Sequence, residues 1–404
     1  VLVVQKYGGT SVGTPKRIQR VADRIAARHR AGDRVVVVVS AMGHTTDRLL
    51  ALASRITERP SRREMDMLLT AGERITMALL SMALETREIA AISFTGSQSG
   101  IITDTAHTRA RILEIRPVRI GPELDRGRVV IVAGFQGVSR EKEVTTLGRG
   151  GSDTSAVALA VGLGADLCEI YTDVAGVMTA DPRLVPAGRL VRRVSWDTML
   201  ELACHGAGVM HARAVELARR RRLPFQVRST FRKGAGTLVE GRPIEAGPEV
   251  AAVTGRERVA EVRLTGLAFS GHARIAFFEA LDALLEDAVA LHQYGDGERV
   301  HLAFQMPVRP ELEDVLVKLR DLAARHGGRL TVEREHASVS VVGTGVLDAP
   351  AVAARAQRAL AAAGIVPLSF DTGSLSLTFL VPRTAYQTAQ QALHREFLES
   401  REPA

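Results

Sequence analysis

Lysine is scarce in this sequence: of 53 Lys plus Arg residues in 404 positions, only five are lysine. Arginine serves almost everywhere a cation is used, so Lys6 in "KYGGTSVG" is a specific choice. A compact ammonium on a flexible stem suits a moving phosphoryl group, whereas the guanidinium fork suits a static carboxylate. Cysteine is scarcer still. Cys168 and Cys204 exclude a disulfide framework and a cysteine metal cluster, and read as small core residues in a reducing compartment. Aromatics make up 4%, without basic–aromatic interleaving, which leaves base stacking no support. The net charge of +8 comes from arginines spread along the chain, and its densest run, "ARRRRL" at 218–223, reads as a solvated helix end. None of the eleven histidines shows HExxH spacing, so no metal site is predicted. No membrane span or signal peptide is predicted either, because the chain opens on a core strand; the expectation is a cytoplasmic protein with no membrane or nucleic-acid partner.

What is present is alternation. "VLVVQKY", "DRVVVVVSA", "EIAAISF", "RVVIVAGF" and "DLCEIYTD" read as strands buried on both faces. Helical patterns such as "KRIQRVADRIAARHR" and "REMDMLLTAGERITMALLSMALE" separate them. This predicts an α/β fold, a mostly parallel sheet between helices, with ligands at the carboxyl ends of the strands. A Gly- and Pro-rich texture around 234–247 marks a boundary, giving domains 1–238 and 239–404. Beyond it the pattern of strand, turn, helix, strand, turn, strand, helix occurs twice. This predicts two ferredoxin-like βαββαβ units, at about 258–333 and 334–404. They carry no catalytic cluster and read as an effector or partner module.

The informative segments follow strands: "KYGGTS", "SAMGHTTD", "GFQG" and "YTDVAGV". Paired glycines at a strand end let the backbone turn tightly and bring N–H groups close to an anion. "TTLGRGGSDTSAVALAVGLGA" runs a glycine-rich turn into Ser152 and Asp153 at the start of an apolar helix. Ordinary capping by either residue is one reading; three glycines and an arginine immediately before them favour an anion site. The motif is neither Walker A nor a Rossmann fingerprint.

Taken together, "KYGGTSVG", "SAMGHTTD", "TAGER", "TTLGRGGSDT" and "YTDVAGVMTADPR" resemble the aspartate kinases of the amino-acid-kinase superfamily. The doubled C-terminal unit resembles that family's regulatory ACT pair. The resemblance implies transfer of the γ-phosphoryl of ATP to the side-chain carboxylate of L-aspartate, the first step towards lysine, threonine and methionine. It implies Mg2+ held mainly by the nucleotide phosphates. It gives Lys6 and Asp153 catalytic roles, Lys6 neutralising charge on the phosphoryl and Asp153 organising the site. It places Thr46, Glu73, Arg149, Gly150, Gly151 and Ser152 around aspartate, with Arg149 gripping a carboxylate and Glu73 pairing with the α-ammonium. Lys6, Tyr7, Gly8, Gly9, Ser40, Ser152, Thr172, Asp173, Met178, Asp181, Arg183 and Arg228 fall on the ATP side. Family members often carry an aromatic residue where Met178 stands.

The regulatory half departs from the family pattern. A "D-x-P-G" turn is replaced by "LAFSGHARIAF", which keeps only Gly271, and "FDTGSLSLTFLV" stands where a "TSE"-type segment is expected. The expectation is weakened, lost or redirected inhibition by threonine or lysine. No methionine occurs between Met210 and Met306, so the sequence predicts a homodimer through ACT units rather than a regulatory subunit from an internal AUG. With no dehydrogenase segment in view, a monofunctional enzyme is expected. Three other readings stay open: a superfamily kinase acting on another carboxylate or phosphate, a non-catalytic amino-acid sensor, and a nucleic-acid binder resting on net charge.

Overall fold

The run of five valines at 35–39 is completely excluded from solvent, as β-branched residues covered on both faces of a parallel sheet should be. The computed structural model describes residues 1–241, 250–269, 272–285, 288–295, 299–346 and 349–399. They form two units. The first comprises residues 1–178, 190–203 and 208–241; the second comprises 179–189, 204–207 and the residues described from 250 onward. Predicted features at Gly271, at Leu347–Asp348 and in the Gly/Pro-rich boundary beyond 241 lie outside the described residues.

In the first unit an eight-stranded sheet has the order Arg193–Ser195, Thr237–Glu240, Phe225–Ser229, Leu167–Thr172, Leu2–Tyr7, Arg34–Val39, Val129–Ala133, Ala91–Phe94. All five predicted strands are in it. Every pairing is parallel except that between Phe225–Ser229 and Thr237–Glu240. Helix Pro15–Arg30 starts where Thr14 Oγ1 accepts the Arg17 N–H, and it packs Ile18, Val21, Ala22, Ile25 and Ala26 into the core. A second sheet was not foreseen: Ile112–Ile115, Ile101–Thr103, Gln136–Ser139 and Val144–Thr146 pair as four strands of three or four residues. Segments so short carry too few residues for an alternation to register.

Residues Arg62–Glu85 form a 24-residue helical stretch, jointed at Thr70, long and apolar enough in length and composition to cross a membrane. Half of its most apolar window is buried in the protein, and it carries the buried acids Asp66 and Glu73. Met65, Leu69, Leu80, Ala83 and Leu84 pack into the core, while Met67, Ile75, Leu79 and Met82 stay exposed.

The second unit is built on a six-stranded antiparallel sheet, ordered Val289–Gly295, Val300–Pro307, Val250–Leu267, Arg329–Gly343, Ser376–Pro382, Ser369–Thr372. Helices Ala273–Asp282, Leu312–Ala324, Ala349–Ala362 and Tyr386–His394 follow the doubled pattern read in the sequence. The two long strands pair almost end to end, so they run through both halves of the unit. Val262, Leu264, Phe277, Phe304 and Leu316 form one core; Val339, Val341, Leu360, Phe379 and Leu393 form the other. Val250 and Val253 pack into the latter core, which therefore draws a strand from ahead of residue 258. A boundary near 334 falls inside strand Arg329–Gly343.

Candidate functional site

Strands Leu2–Tyr7, Arg34–Val39, Val129–Ala133 and Leu167–Thr172 point the same way, so the segments leaving their carboxyl ends share one edge of the sheet. There the backbones interlock. Gly8 N–H donates to Tyr171 O at 3.3 Å, Ser40 N–H to Tyr7 O at 3.1 Å, and Gly43 N–H to Gly9 O at 3.0 Å. A Cβ on Gly9 would stand 2.9 Å from the carbonyl oxygen of Ala41, so the close approach of two loops requires glycine there.

Lys6 is the penultimate residue of its strand, and its Nζ lies 2.6 Å from Asp153 Oδ1, with side chains only 12% and 11% exposed. Asp153 sits in the first turn of helix Gly151–Leu163, whose cap is Gly150 at φ +65°, with no side-chain capping bond. Neither Ser152 nor Asp153 caps the helix, so the ordinary-capping reading of this motif does not hold. The helix N-terminus, a buried ammonium and an aspartate meet at one point, where the local field favours an anionic ligand.

Glu73, in the first turn of helix Ala71–Glu85, is 3% exposed. Its Oε1 accepts the Ala41 N–H at 3.0 Å, and its Oε2 is buried without a hydrogen-bond partner. Burial pushes its carboxyl up to about 7, against the partial opposition of the Glu73 and Ala41 backbone N–H groups. Half-buried Thr46 lies in the first turn of helix Thr45–Ser54, five residues beyond Ala41. Arg149 is exposed on the turn before Gly150 and Gly151.

Arg213 was not foreseen in the sequence. It donates from Nη1 to Leu147 O at 2.6 Å and from Nη2 to Ala110 O at 3.0 Å, clamping the approach to Arg149. Asp66 is a second omission. Fully buried, it accepts from Thr146 Oγ1 at 2.6 Å and Thr108 N–H at 3.0 Å, and its Oδ2 lies 2.7 Å from His107 Nδ1. Its one sequence signal was an acid between two methionines at the start of a helical run.

The residues assigned to the nucleotide side are divided. Thr172 ends its strand and donates to Asp173, which is exposed, and half-buried Met178 bridges to Leu190. Tyr7 is fully buried, stacked on Tyr171 with ring centroids 4.8 Å apart, so only its backbone is available to a ligand. Arg228 donates to buried Glu169 at 2.7 Å and to Gly234 O at 3.2 Å, a structural engagement of its guanidinium. Asp181 and Arg183 belong to the second unit, where they form a two-pronged ion pair with each other. Ser40 and Ser152 stay on the Lys6 edge, Ser152 Oγ being 2.9 Å from where a Cβ on Gly134 would sit.

Among the described residues the first unit brings no three metal-ligating side chains together. A single carboxylate already paired with Lys6 fits a magnesium ion carried by nucleotide phosphates, not an all-protein cage. Burial pushes the Cys168 thiol upward and keeps it protonated, as its core reading requires.

Residues 1–229 match the profile of the Amino acid kinase family, and residues 339–397 that of an ACT domain. An aspartokinase of Mycolicibacterium smegmatis is 45% identical, over 98% of this chain and 96% of that protein. Aspartokinase 2 of Bacillus subtilis is 41% identical over 100% and 99%. Among solved structures, E. coli aspartokinase III in complex with aspartate and ADP, in its R-state, superposes with a TM-score of 0.81. It is 26% identical, with 98% of this chain and 99% of that one covered. The same enzyme with lysine and aspartate, in its T-state, gives 0.73 at 25% identity, over 98% and 99%.

Proposed function

Because the chain belongs to the aspartokinase family, we propose that it transfers the γ-phosphoryl group of MgATP to the side-chain carboxylate of L-aspartate. The products are 4-phospho-L-aspartate and ADP, in the first step of lysine, threonine and methionine synthesis. The observation that carries this reading is the Glu73 carboxylate, buried with one oxygen unpartnered. An ammonium group is the complement such an oxygen lacks.

The acceptor carboxylate is ionised at neutral pH and is already a nucleophile, so no general base is needed. Rate enhancement then rests on positioning and charge neutralisation. Lys6, held by Asp153 at 2.6 Å, is placed to neutralise charge on the transferred group. The backbone N–H groups of Gly8 and Gly9 serve the ATP phosphates, and Mg2+, carried by those phosphates, supplies further charge neutralisation. Glu73 holds the α-ammonium, Arg149 a carboxylate, and Thr46 a hydroxyl contact. Thr172, Asp173 and Met178 lie on the nucleotide side, and Arg228 acts there by anchoring Glu169. The enzyme works in the cytoplasm as a homodimer joined through its ACT units, with an altered amino-acid effector site.

Acyl phosphate trapped as hydroxamate, with L-aspartate compared against glutamate and N-acetylglutamate, tests the proposal. Aspartate-specific, ATP-dependent turnover that disappears in Lys6→Ala is expected. No turnover by folded protein would favour an amino-acid sensor, and turnover with another acceptor would reassign the substrate.

A further inference from the structure

In the second unit, the two long strands slip register at their middle. Val259 faces His336 and Glu261 faces Glu333, so two steps on one strand span three on the other. Residues three apart on a regular strand point to opposite faces. The extra residue of the bulge returns Glu333 and His336 to one face, the face Glu261 also takes. Ala260, Val262 and Leu264 alternate with it into the hydrophobic core.

One ligand atom from each of Glu261, Glu333 and His336 lies within 4.8 Å of the others. His336 is half-buried, with its side chain 12% exposed; its Nδ1 is buried without a hydrogen-bond partner, and its Nε2 faces Glu333 Oε2 at 3.6 Å, too far for a hydrogen bond. That separation is close to the edge of a tetrahedron with metal–ligand bonds of about 2.1 Å, roughly 3.4 Å. Arg263 Nη2 occupies Glu261 Oε2 at 2.9 Å. Two carboxylates against one guanidinium leave the cluster with an excess of negative charge.

We propose that Glu261, Glu333 and His336 bind one divalent transition-metal ion of the zinc class, through the imidazole and one oxygen of each carboxylate. A nitrogen ligand among oxygens suits a borderline ion, whereas Mg2+ favours all-oxygen surroundings. The ion ties together the two strands that run through both halves of the unit. The proposal uses no residue of the kinase site and does not depend on the function proposed above.

The test is calorimetric titration of chelator-treated full-length protein with Zn2+, without nucleotide, beside Glu333→Gln and His336→Gln. Glu333 is 61% exposed, so its variant keeps the fold and decides the question even where His336→Gln does not fold. One Zn2+ per chain is expected, unaffected by millimolar Mg2+ and weakened at least tenfold in Glu333→Gln. Absence of Zn2+ binding, or an affinity that falls less than tenfold in Glu333→Gln, overturns it.

Discussion

Glu73 reaches across to the loop after the second strand and accepts the Ala41 N–H at 3.0 Å, leaving its other oxygen buried and unpartnered. Its carboxyl stands near 7 in the folded protein against an ordinary 4.5. For an acid raised in this way the folded state holds the proton more tightly than the unfolded chain. Its contribution to stability is complete below about 4.5 and is lost as pH rises to about 7, in total about 3 kcal/mol. Binding runs the other way, because only the ionised form pairs with an ammonium. KM for L-aspartate should therefore rise as pH falls below 7, by up to about tenfold per unit. Glu73→Gln should raise KM, flatten that profile and make the protein more stable above pH 7. Initial rates and thermal melts across pH 5–9 check both arms.

Lys6 and Asp153 should behave as a unit. Lys6→Ala leaves a buried carboxylate without its partner, and Asp153→Asn leaves the ammonium undirected. Each should lower kcat by about 10²- to 10³-fold, the scale for removing one stabiliser of transition-state charge. The double variant should be little worse than the poorer single one. Multiplicative losses would mean that the two residues act separately.

Gly150 must remain glycine. Its φ is +65°, and a Cβ there would lie 2.1 Å from that of His211. Gly150→Ala should cost about 2–5 kcal/mol from left-handed backbone and overpacking together. A lowered melting temperature with lost turnover is expected; a variant with wild-type stability would show that the turn relaxes easily.

The effector site gives a fourth prediction. With the acidic and proline positions of the family's first turn replaced, neither threonine nor lysine should bind at low micromolar concentration. Calorimetry on the full chain checks this, and tight binding of either amino acid would show that the altered turns still hold an effector.

Much of this architecture was legible because the signals were local. Runs such as "VVVVV" announce buried strands, and one lysine among so many arginines draws attention to position 6. What escaped depends on partners distant in sequence. Arg213 matters through the carbonyls of Leu147 and Ala110, 66 and 103 residues away. Asp66 matters through Thr108 and Thr146, 42 and 80 residues away. The long strand pair joining the two C-terminal halves is likewise a pairing of remote segments, which no periodicity reveals.

Arg213 offers the sharpest test of how the substrate loop is held. Its guanidinium spans two carbonyl oxygens at 2.6 and 3.0 Å, a bridge that one ammonium cannot reproduce with the same geometry. Leu147 is fully buried and leads through Gly148 into Arg149, so loss of the clamp should displace Arg149, the proposed aspartate anchor, rather than the nucleotide. Misplacement by about 1 Å can cost on the order of 10²-fold in catalysis. Arg213→Lys should accordingly raise KM for L-aspartate at least about tenfold while KM for ATP changes less than about twofold. Equal loss for both substrates would mark Arg213 as a support of the whole unit, and no loss for either would show that the turn holds its shape without it.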